Sequence, residues 1–263
     1  MLQVQNLTKV FNPGTVNEKV AVSKVDLRLA PGDFVTVIGG NGAGKSTMLN
    51  SIAGVFPVDG GKILLDGQDV TKLSEHKRAR YLGRVFQDPR MGTASDMNIE
   101  ENLALAYRRG QRRTLKWGVT AAERARYKDL LHELDLGLEN RMTDKVGLLS
   151  GGQRQALTLL MATLKAPKLL LLDEHTAALD PKTAAKVLGL TQKLIEENHL
   201  TTLMVTHNMS DAIRLGNRLI MMNEGRIAVE IAGDEKKSLH KSDLIALFEK
   251  TGGALDNDRL LLS

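Results

Sequence analysis

The sequence predicts an α/β protein with a mainly parallel sheet, an N-terminal antiparallel β subdomain and an inserted α-helical lobe. Short apolar segments alternate with helical ones after residue 33, which is typical of parallel strands connected by helices. Residues 2–30 instead alternate apolar and polar side chains, as antiparallel strands with one solvated face do. From about residue 98 the chain becomes rich in Arg, Lys, Ala, Glu and Leu, which favours helices.

The composition is that of an ordinary globular protein. Of 263 residues, 42% are apolar and 25% charged, enough for one core with a smaller attached lobe. The absence of cysteine excludes disulfides and thiolate zinc sites. The formal charge of +5 fits a solvated surface, a basic face near anionic lipid or an acidic partner, or nucleic acid. With only 3% aromatic residues, no stacking platform for nucleic acid is visible.

No segment has the pattern of a membrane span. The N-terminus, Met1–Leu7, alternates apolar and polar residues, unlike a signal peptide. The longest apolar run, Leu169–Leu172, is far shorter than the roughly 20 residues that a spanning helix needs. We therefore expect that the chain does not cross a membrane by itself.

The first half of the chain predicts strands separated by turns. The turn Pro31–Asp33 leads into Phe34–Ile38, an apolar, β-branched segment that suits a buried parallel strand. Between glycine turns, Lys62–Leu65 is predicted to be a short strand added to the main sheet in an antiparallel sense. A further short strand is predicted at Gly83–Gln87.

The residues Gly39–Thr47 form a phosphate-binding loop between that buried strand and a helix beginning at Ser46. The segment matches G-x-x-x-x-G-K-[S/T] in the context that this motif requires, which predicts the core of a P-loop NTPase. Its backbone N–H groups can converge on phosphate oxygens because glycine carries no Cβ. Lys45 is predicted to reach the β- and γ-phosphates of a nucleotide and Ser46 to bind Mg²⁺. The predicted nucleotide contacts are Gly39, Asn41, Gly42, Ala43, Gly44, Lys45, Ser46 and Thr47.

The second half alternates predicted helices and strands. Capping patterns at Asn98 and Thr120 begin two helices of the inserted lobe. The basic run Arg108–Arg113 between them is either a contact for nucleic acid or lipid head groups or a solvated loop. The later elements are a helix at Ser150–Lys165, a buried strand at Leu169–Asp173, a helix at Pro181–Glu197, a strand at Thr201–Thr206, a hairpin at Arg218–Ile231, a helix at Lys236–Lys250 and a loose tail at Thr251–Ser263.

Two carboxylates follow the buried strand that ends at residue 173. Asp173, at the strand end, is predicted to hold Mg²⁺ directly or through water. Glu174, one residue later, is expected to point in a different direction from Asp173 and is predicted to polarise an attacking water. Their alternative role is to cap the strand end.

The segment Leu149–Gln155 resembles the signature of the ATP-binding-cassette (ABC) ATPases, and the other motifs of that family follow in order over roughly residues 1–230. Gln87 resembles the Q-loop glutamine, Asp180 the D-loop aspartate and His207 the switch histidine. Phe11 stands where the family has an aromatic residue that stacks on adenine, usually tyrosine. His175 departs from the proline or small residue that is usual after the glutamate.

The resemblance implies ATP and Mg²⁺ as ligands and a dimer that sandwiches ATP, formed with a second copy or with a similar ATPase. The signature residues Ser150, Gly151, Gly152 and Gln153 are then expected to cap the γ-phosphate bound by Lys45 of the partner, with Asp180 also at that interface. Glu174, His207, Lys45 and Gln87 are expected to act in hydrolysis, and Ser46, Gln87 and Asp173 to hold the metal.

By the same resemblance, the chain is expected to drive a separate membrane permease, which would dock near Gln87 and the helical lobe. We expect an ATPase domain at 1–235, with a lobe at about 98–165, followed by a C-terminal helix and tail at 236–263. The favoured function is that of a bacterial importer of the amino-acid type, with an external binding protein and with this chain on the inner face of the membrane. The alternatives are an ABC ATPase that acts on ribosomes or DNA, and a regulatory module without turnover.

Overall fold

The computed structural model describes residues 1–111 and 118–250. The strands are β1 Leu2–Phe11, β2 Lys19–Leu29, β3 Phe34–Gly39, β4 Gly60–Leu65, β5 Gln68–Asp69, β6 Leu82–Val85, β7 Leu169–Asp173, β8 Thr202–Val205, β9 Arg218–Asn223 and β10 Arg226–Ala232. The helices are α1 Lys45–Ala53, α2 Glu75–Arg78, α3 Ile99–Tyr107, α4 Ala121–His132, α5 Gly151–Thr163, α6 Pro181–Glu197, α7 Met209–Arg214, α8 Gly233–Lys237 and α9 Lys241–Lys250. Two compact units result, the first from 1–78, 171–174 and 200–250, the second from 79–111, 118–170 and 175–199.

The first unit contains the phosphate loop and most of the strands. Strands β2, β1, β4 and β5 form an antiparallel sheet in that order, whereas β10, β9, β3, β8 and β7 are neighbours in a mostly parallel sheet. Every residue of β3 is buried, and its apolar side chains account for this because a strand covered on both faces has no solvated side. The loop between β3 and α1 is therefore held at the carboxyl end of a central strand, where parallel sheets bind ligands.

The C-terminal helices of this unit cover one side of the parallel sheet. Leu244 and Phe248 of α9 belong to a buried apolar cluster with residues of β3, α7 and β9. On the neighbouring helix, Lys236 is also buried, and its ammonium donates hydrogen bonds to the carbonyl oxygens of Leu215 and Gly216. These contacts attach α8 and α9 to the first unit.

The second unit is mainly helical and has its own core. Its apolar cluster joins side chains of α3, α4 and α5, including the fully buried Tyr127 and Leu131. Capping boxes predicted from the sequence are present at Asn98 with Glu101 and at Thr120 with Glu123. Strand β6 lies here beside the first residues of β7.

The predicted fold class is confirmed, and several individual elements differ from prediction. Strand β4 does not extend the main sheet: it pairs with β1 in the other sheet, with Val4 opposite Ile63. The predicted helix Lys236–Lys250 is two helices, because Ser238 ends α8 and the His240 N–H bonds to Asp243 Oδ2 at 2.9 Å to begin another. The short helices α2 and α7 were not predicted. The predicted tail at 251–263 lies outside the described residues.

Part of the basic run in the helical lobe is engaged within the protein. Arg108 forms an ion pair with Glu123 at 2.8 Å, and Arg109 donates to the carbonyl oxygens of Ala162 and Lys165. Arg112 and Arg113 lie outside the described residues. Within 1–111 and 118–250, no helix is long and apolar enough to span a membrane.

Candidate nucleotide-binding site

The phosphate loop lies in an open cleft of about 290 Å³ in the first unit. Gly44, the residue before α1, has φ 97°, a backbone conformation that disfavours any side chain. A Cβ on this residue would also lie 2.4 Å from the Ala21 carbonyl oxygen. The cleft is lined by Phe11, Lys19, Ala21, Asn41, Gly42, Ala43, Gly44, Lys45, Ser46, Thr47, Glu174 and His207.

The Lys45 ammonium is buried and turned onto the phosphate loop itself. Nζ donates to the carbonyl oxygens of Gly39 at 2.7 Å and Gly40 at 3.0 Å. Burial lowers the pKa of Lys45, and the nearby carboxylates of Glu174 and Asp173 oppose that shift. The ammonium is thus held at the base of the cleft. Its N–H groups can donate to an anionic ligand in place of these carbonyl oxygens.

A hydroxyl and a carboxylate meet at the start of α1. Ser46 Oγ donates to Asp173 Oδ1 at 3.3 Å. Both side chains offer oxygen ligands, which Mg²⁺ prefers, and both residues were predicted from the sequence to hold the metal. The donor set therefore fits Mg²⁺.

The second carboxylate after β7 is paired with a histidine. Glu174 Oε1 lies 2.5 Å from His207 Nε2, so that nitrogen carries the proton that the carboxylate accepts. Glu174 has φ 46°, an uncommon backbone conformation for a residue other than glycine. Its backbone N–H donates to the Val205 carbonyl at 2.9 Å, which holds the residue beside β8.

Two side chains stand at the outer part of the cleft. Phe11 packs edge-on against Phe56 with ring centroids 5.3 Å apart, and this contact fixes the aromatic ring predicted to stack on a base. Lys19, which the sequence analysis did not single out, brings its ammonium to the phosphate loop: a Cβ on Gly42 would lie 3.5 Å from Lys19 Nζ. Only its position at the start of β2 could have marked it.

The signature residues lie in the second unit, at the N-terminus of α5. Ser150 and Gln153 form a capping box. Gly152 leaves no room for a side chain, because a Cβ there would lie 2.1 Å from Thr183 Cγ2. Ser150 and Gly151 are exposed, so the N–H groups that begin α5 face an accessible surface able to bind an anion.

Asp180 and Gln87 are exposed residues of the second unit. Asp180 caps α6 by accepting from the Thr183 N–H at 3.1 Å, and the hydrogen bonds from Thr183 lower the pKa of the Asp180 carboxyl. Gln87 follows β6, and the residue before it is held by a 3.0 Å hydrogen bond from Gln155 Nε2 to the Phe86 carbonyl. The roles assigned to both residues stay predictions.

His175, the residue after Glu174, is almost completely buried. It is 1% exposed, and Nε2 lies 3.0 Å from Thr191 Oγ1 of α6. Burial lowers the pKa of His175 to about 4, so the ring is neutral near pH 7. This contact spans 16 residues and has no signal in the local sequence.

The cleft combines a phosphate loop, a buried lysine, a Ser–Asp oxygen pair and a Glu–His pair, which together define an ATPase site of the P-loop type. The family model described as "ABC transporter" matches residues 22–177, more than half of the chain. The chain belongs to the ABC transporter family.

Named relatives agree with this assignment. The chain is 43% identical to the tyrosine transport ATP-binding protein of Clostridioides difficile, with 95% of this chain and 99% of that protein covered. It is 34% identical to the methionine import ATP-binding protein of Corynebacterium diphtheriae, with 99% and 76% covered. These names favour transport over the alternative of ribosome or DNA ATPases.

A solved structure has the same fold. A dimeric, post-hydrolysis state of the ATP-binding cassette MJ0796, bound to ADP and Pi, is 30% identical with a TM-score of 0.76, covering 88% of this chain and 98% of that one. The chain is thus an ABC ATP-binding domain with an ATPase fold.

Proposed function

We propose that this chain is the ATP-hydrolysing subunit of a membrane importer, acting as a dimer with a separate permease. The observation that carries the proposal is the cleft of the first unit, where Lys45, Ser46, Asp173, Glu174 and His207 come together. The names of the relatives support transport as the process that hydrolysis drives. The domain limits of 1–235 and 236–263 remain part of the proposal.

ATP binding uses groups that already face the cleft. The Lys45 ammonium exchanges the carbonyl oxygens of Gly39 and Gly40 for phosphate oxygens, and the N–H groups of the loop and of α1 complete the cradle. Phe11 stacks on adenine, and Lys19 adds a second cation at the mouth of the cleft. Ser46, Asp173 and Gln87 would hold Mg²⁺, which supplies charge neutralisation at the β- and γ-phosphates when bound.

Hydrolysis is assigned to the Glu–His pair. The Glu174 carboxylate accepts a proton from the water that attacks the γ-phosphorus, and the P–O bond to ADP breaks. His207 holds the carboxylate through the proton on Nε2. In the proposed cycle the Nε2–H of His207 is shared between the Glu174 carboxylate and the γ-phosphate, so that one ring aligns the base and the nucleotide.

The dimer completes the site. Ser150, Gly151, Gly152 and Gln153 of one chain cap the γ-phosphate bound by the other, and Asp180 lies at the same interface. Exposed N–H groups at the start of α5 suit this role. The dimeric state of the solved neighbour supports the assembly, with a second copy or a similar ATPase as the partner.

The permease is proposed to dock at residues around Gln87 and the helical lobe, which puts the chain on the cytoplasmic face of the membrane. An extracytoplasmic binding protein delivers the substrate. An aromatic amino acid is the proposed substrate, on the strength of the relative named for tyrosine transport.

The test is reconstitution of this chain with its cognate permease and binding protein. In proteoliposomes, we expect L-tyrosine with the binding protein to raise ATP hydrolysis several-fold, whereas L-lysine at the same concentration leaves the rate unchanged. Stimulation of ATP hydrolysis by another amino acid would change only the assigned substrate. No stimulation by any amino acid, with the complex intact, would contradict the importer proposal.

A further inference from the structure

The hydrogen bonds around His175 fix the tautomer of its ring. Thr191 Oγ1 carries one proton, and it donates that proton to the Val187 carbonyl at 2.8 Å. At its 3.0 Å contact with His175 Nε2 the same oxygen must therefore accept. His175 is neutral, with the proton on Nε2, and acts as a donor to α6.

The other ring nitrogen has no such partner. Nδ1 is buried without a hydrogen-bond partner among the described residues, and a buried acceptor left unpaired lowers stability. An apolar side chain of similar size would avoid that cost. The imidazole therefore contributes through the Nε2 bond, which an apolar residue cannot make.

The same bond closes one end of the loop that carries Asp180. At the other end of this loop, Asp180 caps α6 through the Thr183 N–H, and inside it the Leu179 N–H donates to the Thr176 carbonyl at 3.1 Å. Residues 176–180 are thus attached to α6 both before and after the exposed aspartate. Without the first attachment, Asp180 is held only from the α6 side, by its side-chain cap and by the bond from the Ala184 N–H to its own carbonyl at 2.8 Å, while residues 176–179 lose their anchor.

We propose that His175 is a positioning residue: its Nε2–H bond to Thr191 fixes the 176–180 loop on α6 and so sets where Asp180 meets a second copy of the chain. This inference rests on the proposed function, because it needs the ATP-bound dimer. It assigns a role to His175, whose residue type departs from the family pattern.

The experiment removes the acceptor and leaves His175 in place. Thr191→Val keeps the volume of the side chain and deletes the hydroxyl. We expect kcat for ATP hydrolysis to fall about tenfold, since small displacements of a positioned group carry costs of that order, while KM for ATP stays unchanged. Thr191→Ser restores the hydroxyl and is expected to restore kcat.

Thr163→Val is the matched control. Thr163 is a buried threonine of α5 whose hydroxyl also donates to the carbonyl four residues earlier, at 3.0 Å, but it contacts no histidine. We expect that variant to unfold at a slightly lower temperature with kcat unchanged. Equal kcat losses in the Thr163 and Thr191 variants would overturn the proposal, because a general packing defect would explain both.

A double-mutant cycle with Asp180→Asn separates this inference from the proposed function. Asn keeps an acceptor for the cap and removes the charge. If His175 acts through Asp180, Thr191→Val and Asp180→Asn together slow hydrolysis by less than the product of their separate effects. If the two effects on the rate multiply in full, the role of His175 is overturned, while the proposed dimer is not contradicted. If Asp180→Asn hydrolyses ATP like the wild type and ATP drives no dimer, the proposed interface itself fails.

Discussion

Replacement of the buried Arg78 by Met should destabilise the first unit strongly. The guanidinium is 1% exposed and donates to four carbonyl oxygens, those of Ser51, Ile52, Thr71 and Leu73, at 2.7–2.9 Å. Both carbonyls of Ser51 and Ile52 lie in the last turn of α1: that of Ser51 also accepts from the Gly54 N–H at 3.2 Å, whereas that of Ile52 relies on Arg78. Arg78 thus caps the helix that begins at the phosphate loop.

The size of the effect follows from the Ile52 carbonyl, because its hydrogen bond to Arg78 is buried and the Ser51 carbonyl keeps the bond from the Gly54 N–H. A buried acceptor that loses its partner costs about 1–3 kcal/mol, so we expect a loss of about 1–3 kcal/mol in the free energy of unfolding. Met retains much of the apolar stem, which limits the additional loss from the cavity.

Urea denaturation followed by circular dichroism measures this change. The matched control is Lys77→Met, on the same short helix but exposed, which should alter the free energy of unfolding by less than about 0.5 kcal/mol. A loss below about 1 kcal/mol for Arg78→Met, with an unchanged dependence on urea, would refute the assignment of Arg78 as the cap of α1.

Three further predictions follow from single side chains. Gly44→Ala should abolish ATP binding in a titration, since its Cβ would lie 2.4 Å from a backbone oxygen; wild-type affinity would contradict the geometry of the loop. Phe11→Ala should weaken ATP binding about tenfold, whereas Phe11→Tyr should not, and equal affinities for all three proteins would remove the stacking role. Lys236→Met should flatten the dependence of stability on pH: burial lowers the pKa of Lys236 to about 8 against about 10.4 in the unfolded chain, so the unfolded state binds more protons between those values and the wild type gains stability as pH rises. Parallel stability curves for wild type and variant would contradict that shift.

The nucleotide site was predictable because its signals are local. The phosphate loop follows a buried strand and precedes a helix, and Asp173 and Glu174 directly follow another buried strand. Parallel strands bring such ends to one edge of the sheet, which explains why residues 127 positions apart, Ser46 and Asp173, share a hydrogen bond.

What the sequence did not predict depends on distant pairing. The hydrophobic pattern of β4 suits either sheet, and only the exposed edge of β1 decides which one it joins. Arginine and lysine are ordinarily exposed, so nothing local marks Arg78 or Lys236 as buried. Likewise, the hydrogen-bond partner of His175 lies 16 residues later in the chain, on α6.

The central claim is that Glu174 is the base of an ATPase. The direct measurement is single-turnover hydrolysis of ATP by Glu174→Gln, beside Glu224→Gln as the control: Glu224 has the same φ of 46° but is exposed in the β9–β10 turn. We expect Glu174→Gln to bind ATP with wild-type affinity and to hydrolyse it at least about 100-fold more slowly, with the control unchanged. Hydrolysis by Glu174→Gln at the wild-type rate would contradict the assignment of Glu174 as the base.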